Sequence, residues 1–256
     1  MRNVNVTRYV TPLREGGSLP AIVEADDDGM YVLKFRGAGQ GPKALVAELI
    51  AGEIARACGL RVPEIVFAEL DIELSRTEPD PEIQDLLKAS AGLNLALDYL
   101  PGSITFDPVV DEVGAGLASE IVWLDAFVTN VDRTARNPNM LMWHKELWLI
   151  DHGASLYFHH SWRDWEEQSG RPFVQIKDHI LLPRASSLAE ADVKFRGLLG
   201  RDLFEDVVEN IPDLWIEQDG ESPDEKRAVY VEFLLNRFEA SNTFVEEAER
   251  ARESVV

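Results

Sequence analysis

The beginning of the chain alternates apolar and polar residues with the period of β-strands. Three such stretches cover residues 4–9, 19–25 and 30–35. Gly16-Gly17-Ser18 separates the first two stretches, and Asp28-Gly29 separates the second and the third. Both separators are typical of tight turns between antiparallel strands. The pattern therefore predicts three sequential antiparallel strands.

A helical period replaces this alternation in residues 42–58, which begin at Pro42 and are followed by Gly59. Proline fits the first turn of a helix, and glycine fits the left-handed residue after the last turn, so we predict a helix here. Further along we predict strands at 62–70 and 93–100 and a short amphipathic helix at 80–90.

The Pro-Gly-Ser sequence at residues 101–103 breaks the pattern and predicts a boundary between a first lobe, residues 1–102, and a second lobe, residues 103–256. The second lobe is mainly helical in its periodicity, apart from one short β-like pair. Its predicted elements are helices at 113–129, 187–199, 203–210 and 222–251, and strands at 139–143 and 147–150.

Composition and charge narrow the class of protein. With 45% hydrophobic and 28% charged residues, the 256-residue chain lies in the ordinary globular range. Its net charge of −21 repels phosphate backbones, so we expect no direct nucleic-acid partner. We find no membrane span and no secretory signal, and we therefore expect a cytoplasmic protein. The single cysteine, Cys58, lies on an apolar helical stretch and is predicted to be a buried thiol.

Lys34 is a single charge in the middle of the apolar strand Tyr31-Val32-Leu33-Lys34-Phe35. Burial of an unpaired charge is costly, and Glu48 on the next helix is a suitable partner. The alternative is a lysine whose ammonium reaches solvent at the edge of the sheet. The strand alone does not decide between these two interpretations.

Polar residues crowd a loop between a predicted helix and a predicted strand, where functional sites are common. Asp132 and Asn137 lie in this loop, and Asp151 follows the apolar strand and precedes Gly153. A carboxylate in that position can hold a metal ion. Ordinary turns and helix caps made by Asp and Asn are the alternative.

The order of these pieces resembles the protein-kinase-like superfamily: a lysine strand, a glutamate helix, a hinge, an Asp/Asn loop and then Asp-His-Gly. The loop reads Asp132-Arg133-x-x-x-Asn137, which resembles HipA-like kinases and, more distantly, phosphatidylinositol kinases. The resemblance covers about residues 16–158. It implies an α+β, two-lobed protein-kinase-like fold, with a small antiparallel-sheet N-lobe and a mainly helical C-lobe.

The resemblance also implies roles for the chemical groups. Lys34 would contact the α- and β-phosphates of ATP, and Glu48 would orient Lys34. Asp132 would be the catalytic base and Arg133 would brace its loop, while Asn137 and Asp151 would hold Mg²⁺. Asn139 competes with Asn137 for the metal role. Thr134 stands where the family usually has histidine.

The nucleotide would have two further contacts. The adenine hinge would lie in residues 97–100, with backbone groups of Asp98, Tyr99 and Leu100 as its ligands. Gly16, Gly17 and Ser18 would form a minimal phosphate loop, and the glycine run at residues 37–41 either shares that contact or is a flexible connection.

His159-His160, close to Trp162 and Trp165, suggests a metal site or an aromatic cage. Adjacent histidines point in different directions and no second ligand pair is suitably spaced, so we predict a packed aromatic segment instead.

Taken together, these observations favour an ATP-dependent kinase that phosphorylates a Ser or Thr of a protein, its own chain included. The alternatives are a catalytically weak nucleotide-binding regulatory module and a kinase for a small molecule or lipid headgroup. The expected partners are thus the phosphoryl acceptor, which is a protein or a small molecule, and a further protein partner is compatible with the sequence. The N-terminal subdomain of full HipA toxins is expected to be missing, so toxin activity does not follow from the resemblance.

Overall fold

The alternating residues at the start of the chain form a closed barrel. The computed structural model describes residues 1–13, 19–217 and 222–255. Within them the barrel strands follow the order β1-β2-β3-β5-β4. The strands are β1 (Asn3–Pro12), β2 (Ala21–Ala25), β3 (Met30–Lys34), β4 (Ile65–Leu70) and β5 (Gly92–Asp98).

The predicted antiparallel order of the first three strands is confirmed, since β1 pairs with β2 and β2 with β3 in that sense. One pairing differs from the predicted all-antiparallel sheet. β1 runs parallel to β4, with Asn3 opposite Phe67, and this pairing closes the barrel. Parallel neighbours need a long connection, and the hairpins and helix between β1 and β4 supply it.

Helix α1 (Pro42–Ala57) lies between the barrel and the rest of the protein, which explains why it is buried on nearly every side. Its end is the predicted one: Gly59 has a φ of +79°, and the next N–H, that of Leu60, donates to the carbonyl of Ala55 at 3.0 Å. This left-handed residue closes the helix as glycine does best. The apolar side chains of α1 belong to the same core as those of the C-terminal helices.

The remaining described part of the chain is mainly helical, as predicted, with a small sheet of order β6-β7-β8. The strands are β6 (Ile104–Thr105), β7 (Met140–Trp143) and β8 (Glu146–Leu149). The helices are α2 (Pro81–Ala89), which packs on the barrel, and then α3 (Ala115–Phe127), α4 (Trp165–Ser169), α5 (Leu188–Arg196), α6 (Arg201–Glu209), α7 (Asp213–Ile216), α8 (Pro223–Glu239) and α9 (Ser241–Glu253). None of the described helices is both long enough and apolar enough to cross a bilayer.

The long helix predicted at 222–251 is two helices, and that prediction was wrong at Ala240. The chain leaves helical geometry there, with a ψ of +24°, and α9 starts at the next residue. The turn lets Phe244 pack edge-on against Trp123 at 5.3 Å between ring centroids. No glycine or proline marks the break, so tertiary packing decides it rather than local sequence.

The hydrophobic residues form two clusters. One fills the barrel and includes Val23, Leu33 and Ala96. The other joins α1 and the outer face of β4 and β5 to the C-terminal helices. The division of the chain at residue 102 stays a prediction.

Candidate active site

Lys34 is the last residue of β3, and it points out of the barrel towards α1 and the segment after β8. Its Nζ lies 2.5 Å from Oε2 of Glu48 and 2.6 Å from Oδ1 of Asp151. Only 15% of the Lys34 side chain is exposed, so both carboxylates contact a largely desolvated ammonium. The predicted pair with Glu48 is present, and the solvent-reaching alternative is not what the structure shows.

The charges of this group support one another. Burial alone would lower the pKa of Lys34, but Asp151 and Glu48 outweigh that effect and raise the pKa. Burial would raise the pKa of Glu48, but the Lys34 ammonium and a hydrogen bond from His152 lower it to about 2. Glu48 is therefore a carboxylate at neutral pH although it is fully buried.

Asp151 occupies a turn that brings its carboxylate back to Lys34. Its φ is +56°, a left-handed conformation that Asp tolerates better than most residues. Gly153 passes close to α1, where an added Cβ would lie 3.4 Å from the carbonyl oxygen of Ala44. The Asp-His-Gly sequence thus lies directly against the beginning of α1.

Asp132 lies in the loop between α3 and β7, with its carboxylate held from one side. Its Oδ2 accepts a hydrogen bond from Nδ2 of Asn137 at 2.7 Å. Its backbone N–H donates to Oδ1 of Asn130 at 3.1 Å. Oδ1 of Asp132 has no hydrogen-bond partner within the described part of the chain, so it remains available as a proton acceptor.

Arg133 is buried beneath this loop rather than exposed in it. Its Nε donates to Oδ2 of Asp125 at 2.5 Å, and its Nη1 donates to the backbone carbonyls of Asn139 and Ile150. These contacts fasten both ends of the loop to α3 and are those of a bracing residue. None of them reaches towards Lys34.

Asp125 gathers further donors in the interior. Its Oδ2 also accepts a hydrogen bond from Nε2 of His179 at 2.9 Å, and its Oδ1 accepts one from Nδ2 of Asn130 at 2.9 Å. Nδ1 of His179 accepts the N–H of Leu181, which fixes the proton of this imidazole on Nε2. Burial would raise the pKa of Asp125, but Arg133 and His179 lower it below its usual range.

Sequence reasoning missed Asp125 and His179 as parts of the site. Asp125 carried a usable signal, since a carboxylate inside an apolar helix needs a buried partner. His179 carried none, because 54 residues separate it from Asp125 and no motif links them.

The donors near Asp132 and Asp151 suit a divalent cation that also binds phosphate. Asn137 is exposed and its amide nitrogen is turned to Asp132. Asn139 is buried, and its Nδ2 lies 3.5 Å from both Asp132 Oδ2 and the Asp151 carbonyl. Within the described residues no three His, Cys, Asp or Glu side chains form a metal cluster. One carboxylate and one amide oxygen fit Mg²⁺, which commonly keeps water and phosphate ligands.

Only part of the predicted hinge is available to a nucleotide through its N–H groups. The N–H of Asp98 donates to the carbonyl of Glu64 at 2.9 Å, and that of Tyr99 donates to Met30 at 3.0 Å. Leu100 is buried, and its N–H makes no hydrogen bond to another described residue. Among the three predicted hinge donors, Leu100 is therefore the one suited to an adenine nitrogen.

One of the two candidate phosphate loops falls within the described residues. Gly16, Gly17 and Ser18 lie outside the described residues. In the run at 37–41, the N–H groups of Gly37, Ala38 and Gly41 are bonded within the protein. Gly37 is also a packing glycine, since an added Cβ would lie 2.7 Å from the side chain of Ala89. Most of this run is thus a packed connection.

The predicted packed aromatic segment is confirmed. Phe158 stacks on Phe233 with 3.9 Å between ring centroids, and Nδ1 of buried His159 lies 2.9 Å from the hydroxyl of Tyr230. The buried thiol is confirmed too, since Cys58 is 1% exposed and burial raises its pKa to about 12.

The sequence is similar to a known protein family. A sequence model described as HipA-like kinase matches residues 6–247. Comparison with curated protein sequences gives no match.

Solved structures share the fold at low sequence identity. The proinflammatory kinase CtkA of Helicobacter pylori has a TM-score of 0.55 and 14% identity, with 96% of this chain and 97% of that chain covered. The Golgi casein kinase with Mn/ADP bound has a TM-score of 0.54 and 12% identity, with 100% of this chain and 75% of that one covered. The expected two-lobed kinase-like fold is thereby confirmed.

Proposed function

Because this chain belongs to the HipA-like kinase family and is an ATP-dependent phosphotransferase, we propose that it phosphorylates Ser or Thr hydroxyls of a protein, its own chain included. The observation that carries the proposal is Lys34 paired with both Glu48 and Asp151. Together with Asp132 on the adjoining loop, these residues supply the groups that phosphoryl transfer requires.

Each group has a separate task in this reaction. Lys34 binds the α- and β-phosphates, because its positive charge attracts and partly neutralises their negative charge. The acceptor oxygen forms a bond to the γ-phosphorus while the bond from that phosphorus to the β–γ bridging oxygen breaks. The hydroxyl proton passes to Oδ1 of Asp132, and ADP leaves.

We propose Mg²⁺ as the divalent metal, held by Asp151 and Asn137 together with phosphate oxygens. When bound, it neutralises charge on the transferring phosphate. The protein's own contribution is a carboxylate, that of Asp151, held beside the Lys34 ammonium, and the amide of Asn137 held beside Asp132. A protein with a net charge of −21 needs that local compensation to bind a polyphosphate.

A cavity beside the loop that carries Asp132 supports a peptide as acceptor. It has a volume of about 600 Å³, and Val131, the residue before Asp132, is part of its wall. Tyr157 and Val174 line it and are 62% and 49% exposed, so the cavity has an apolar, accessible rim. Two arginines also line it, but Arg171 pairs with Glu167, and the buried guanidinium of Arg237 donates to the backbone carbonyls of Phe127 and Ala126. A Ser or Thr on a peptide with apolar neighbours suits this surface.

Transfer from γ-labelled ATP tests the proposal. The purified protein is incubated with Mg²⁺ and labelled ATP, alone and with a mixture of Ser/Thr peptides, beside Asp132→Asn as the matched inactive variant. We expect acid-stable label on peptides or on the chain itself, absent from the variant. ATP turnover that leaves the label in a small soluble product would reject a protein acceptor, and no turnover would reject kinase activity.

A further inference from the structure

His152, the residue between Asp151 and Gly153, is fully buried and contacts Glu48. Its Nδ1 lies 3.3 Å from Oε1 of Glu48, while Oε2 of the same carboxylate accepts a hydrogen bond from Nζ of Lys34. The two oxygens of Glu48 thus have different partners, one on each side. Neither the orienting of Lys34 by Glu48 nor the compensation of the Lys34 charge requires this second contact.

The protonation of His152 follows from these partners. Glu48 is ionised and can only accept hydrogen bonds, so Nδ1 of His152 carries the proton and donates it. Nε2 is buried and has no hydrogen-bond partner within the described part of the chain.

His152 links the two carboxylates that hold Lys34. It is joined to Asp151 by a peptide bond and to Glu48 by its side chain, which closes a ring of contacts through Lys34. Asp151 is 49% exposed and is the proposed metal ligand, whereas Glu48 is fully enclosed by protein. Glu48 is therefore the partner that must keep Lys34 in place.

We propose that His152 is a positioning residue for phosphate binding: its Nδ1–H holds the carboxylate of Glu48, and through Glu48 it holds Lys34. The role concerns the phosphate-binding lysine of the proposed kinase and therefore rests on that function. The contact itself is a property of the protein without nucleotide, so it can be tested with and without ATP.

Two amide variants separate positioning from packing. In His152→Asn the amide nitrogen takes the place of Nδ1 and can donate to Glu48, whereas in His152→Gln it takes the place of Nε2 and cannot. A hydrogen bond to a charged group is worth enough that we expect the Gln variant to lose about tenfold or more in affinity for Mg·ATP. The Asn variant should lose much less. Calorimetry measures both affinities. Equal affinities in the two variants would overturn the proposal.

A second readout does not depend on nucleotide. Lys34 in the free protein is labelled with an amine-reactive ester, and mass spectrometry follows its rate relative to exposed Lys88. We expect faster labelling of Lys34 in His152→Gln than in the wild type or His152→Asn, because a loosened Glu48 no longer confines the ammonium. The same rate in all three proteins would contradict the proposal even if the protein transferred no phosphate.

A double-mutant cycle assigns the effect to Glu48. If His152 acts through Glu48, His152→Gln changes Mg·ATP affinity little once Glu48→Gln is present. Independent, multiplying losses would show that His152 acts by another route. His159→Gln is the control, because His159 is equally buried but bonds to Tyr230; it should lower the melting temperature and leave Lys34 labelling unchanged. If His152→Gln does not fold, His152→Phe, which keeps a ring without the donor, takes its place in each comparison.

Discussion

Lys34 Nζ and Asp151 Oδ1 lie 2.6 Å apart although 117 residues separate them in the sequence. The pair joins the last residue of β3 to the turn after β8. It brings the proposed phosphate-binding lysine and the proposed metal ligand into direct contact. Asp151 is the exposed partner of Lys34 and Glu48 the buried one, so we expect substitutions at the two carboxylates to have different consequences.

Asp151→Asn should remove the metal-dependent part of nucleotide binding. A ligand at about 100 times its dissociation constant adds about 2.7 kcal/mol to the free energy of unfolding, which is a measurable rise in melting temperature. We expect Mg²⁺ with ATP to raise the melting temperature of the wild type more than ATP alone. In the variant this difference should vanish, because the carboxylate that would hold the metal is gone.

The control for Asp151→Asn is Asp85→Asn, which changes an exposed carboxylate on α2 that pairs with Lys88. It should respond to Mg·ATP as the wild type does. An Asp151→Asn protein with an undiminished magnesium response would show that this carboxylate does not bind the metal.

Asp132→Asn should separate catalysis from binding. The variant keeps a side chain that can bond to Asn137 but has no carboxylate to take the acceptor proton. General base catalysis contributes about 10²- to 10⁴-fold, so the rate of transfer should fall by about that factor. The dissociation constant for Mg·ATP should stay close to that of the wild type, since the base contributes to the transition state and little to ground-state binding. Loss of binding and rate together would contradict the assignment.

Local sequence was sufficient to find the site residues whose immediate neighbours in the chain are unusual for a charged side chain. Lys34 could be found because it is a charge in an apolar strand, and Asp151 because it follows an apolar strand and precedes a glycine. The helix of Glu48 was marked at both ends by Pro42 and Gly59. The barrel strands were visible for the same reason, since alternation reports which face of a strand is buried.

Contacts between distant segments could not be found in this way. His179 meets Asp125 only because the chain after α4 passes beneath the loop that carries Asp132, and no local pattern encodes that path. The parallel pairing of β1 with β4 and the break at Ala240 have the same origin. Each is decided by packing against elements far away in sequence.

Asn137 and Asn139 can be distinguished as metal ligands by their different settings. Asn137→Ala should raise the Mg²⁺ concentration needed for half-maximal transfer and leave the melting temperature nearly unchanged, because Asn137 is exposed. Asn139→Ala should lower the melting temperature, because Asn139 is buried with a φ of +49°, a conformation that costs alanine about 1 kcal/mol. If only Asn139→Ala shifts the magnesium requirement, the metal role belongs to Asn139.

Glu48 should contribute stability that acid removes. Its pKa of about 2 in the folded protein is below the ordinary value of 4.5, so the contribution is present above about pH 4.5 and is lost as the pH falls towards 2. We expect the difference in unfolding free energy between the wild type and Glu48→Gln to be constant from pH 7 to 5 and to shrink below. Chemical denaturation across this range measures it, and a difference independent of pH would contradict the shifted pKa.

The buried pair of Asp125 and Arg133 should matter far more to stability than any exposed pair of similar geometry. Asp125→Asn leaves the Arg133 guanidinium in the interior without its carboxylate, and removing one member of a buried pair costs about 3–5 kcal/mol. Glu167→Gln makes the same chemical change in an exposed pair with Arg171, which is worth at most about 1 kcal/mol. Denaturant unfolding of both variants compares the two losses directly.

The same pair should also affect catalysis, because Arg133 fastens the loop that carries Asp132. We therefore expect Asp125→Asn to reduce the rate of transfer even at temperatures where the variant is fully folded.

The hydrogen bond from His179 to Asp125 can be tested with two amide variants. His179→Gln places an amide nitrogen where Nε2 donates to Asp125, so it should retain most of the stability. The amide of His179→Asn cannot reach Asp125, so that variant should lose this stability. If the Asn and Gln variants were equally stable, the hydrogen bond from His179 would not be what supports Asp125, and packing of the ring would be the better explanation.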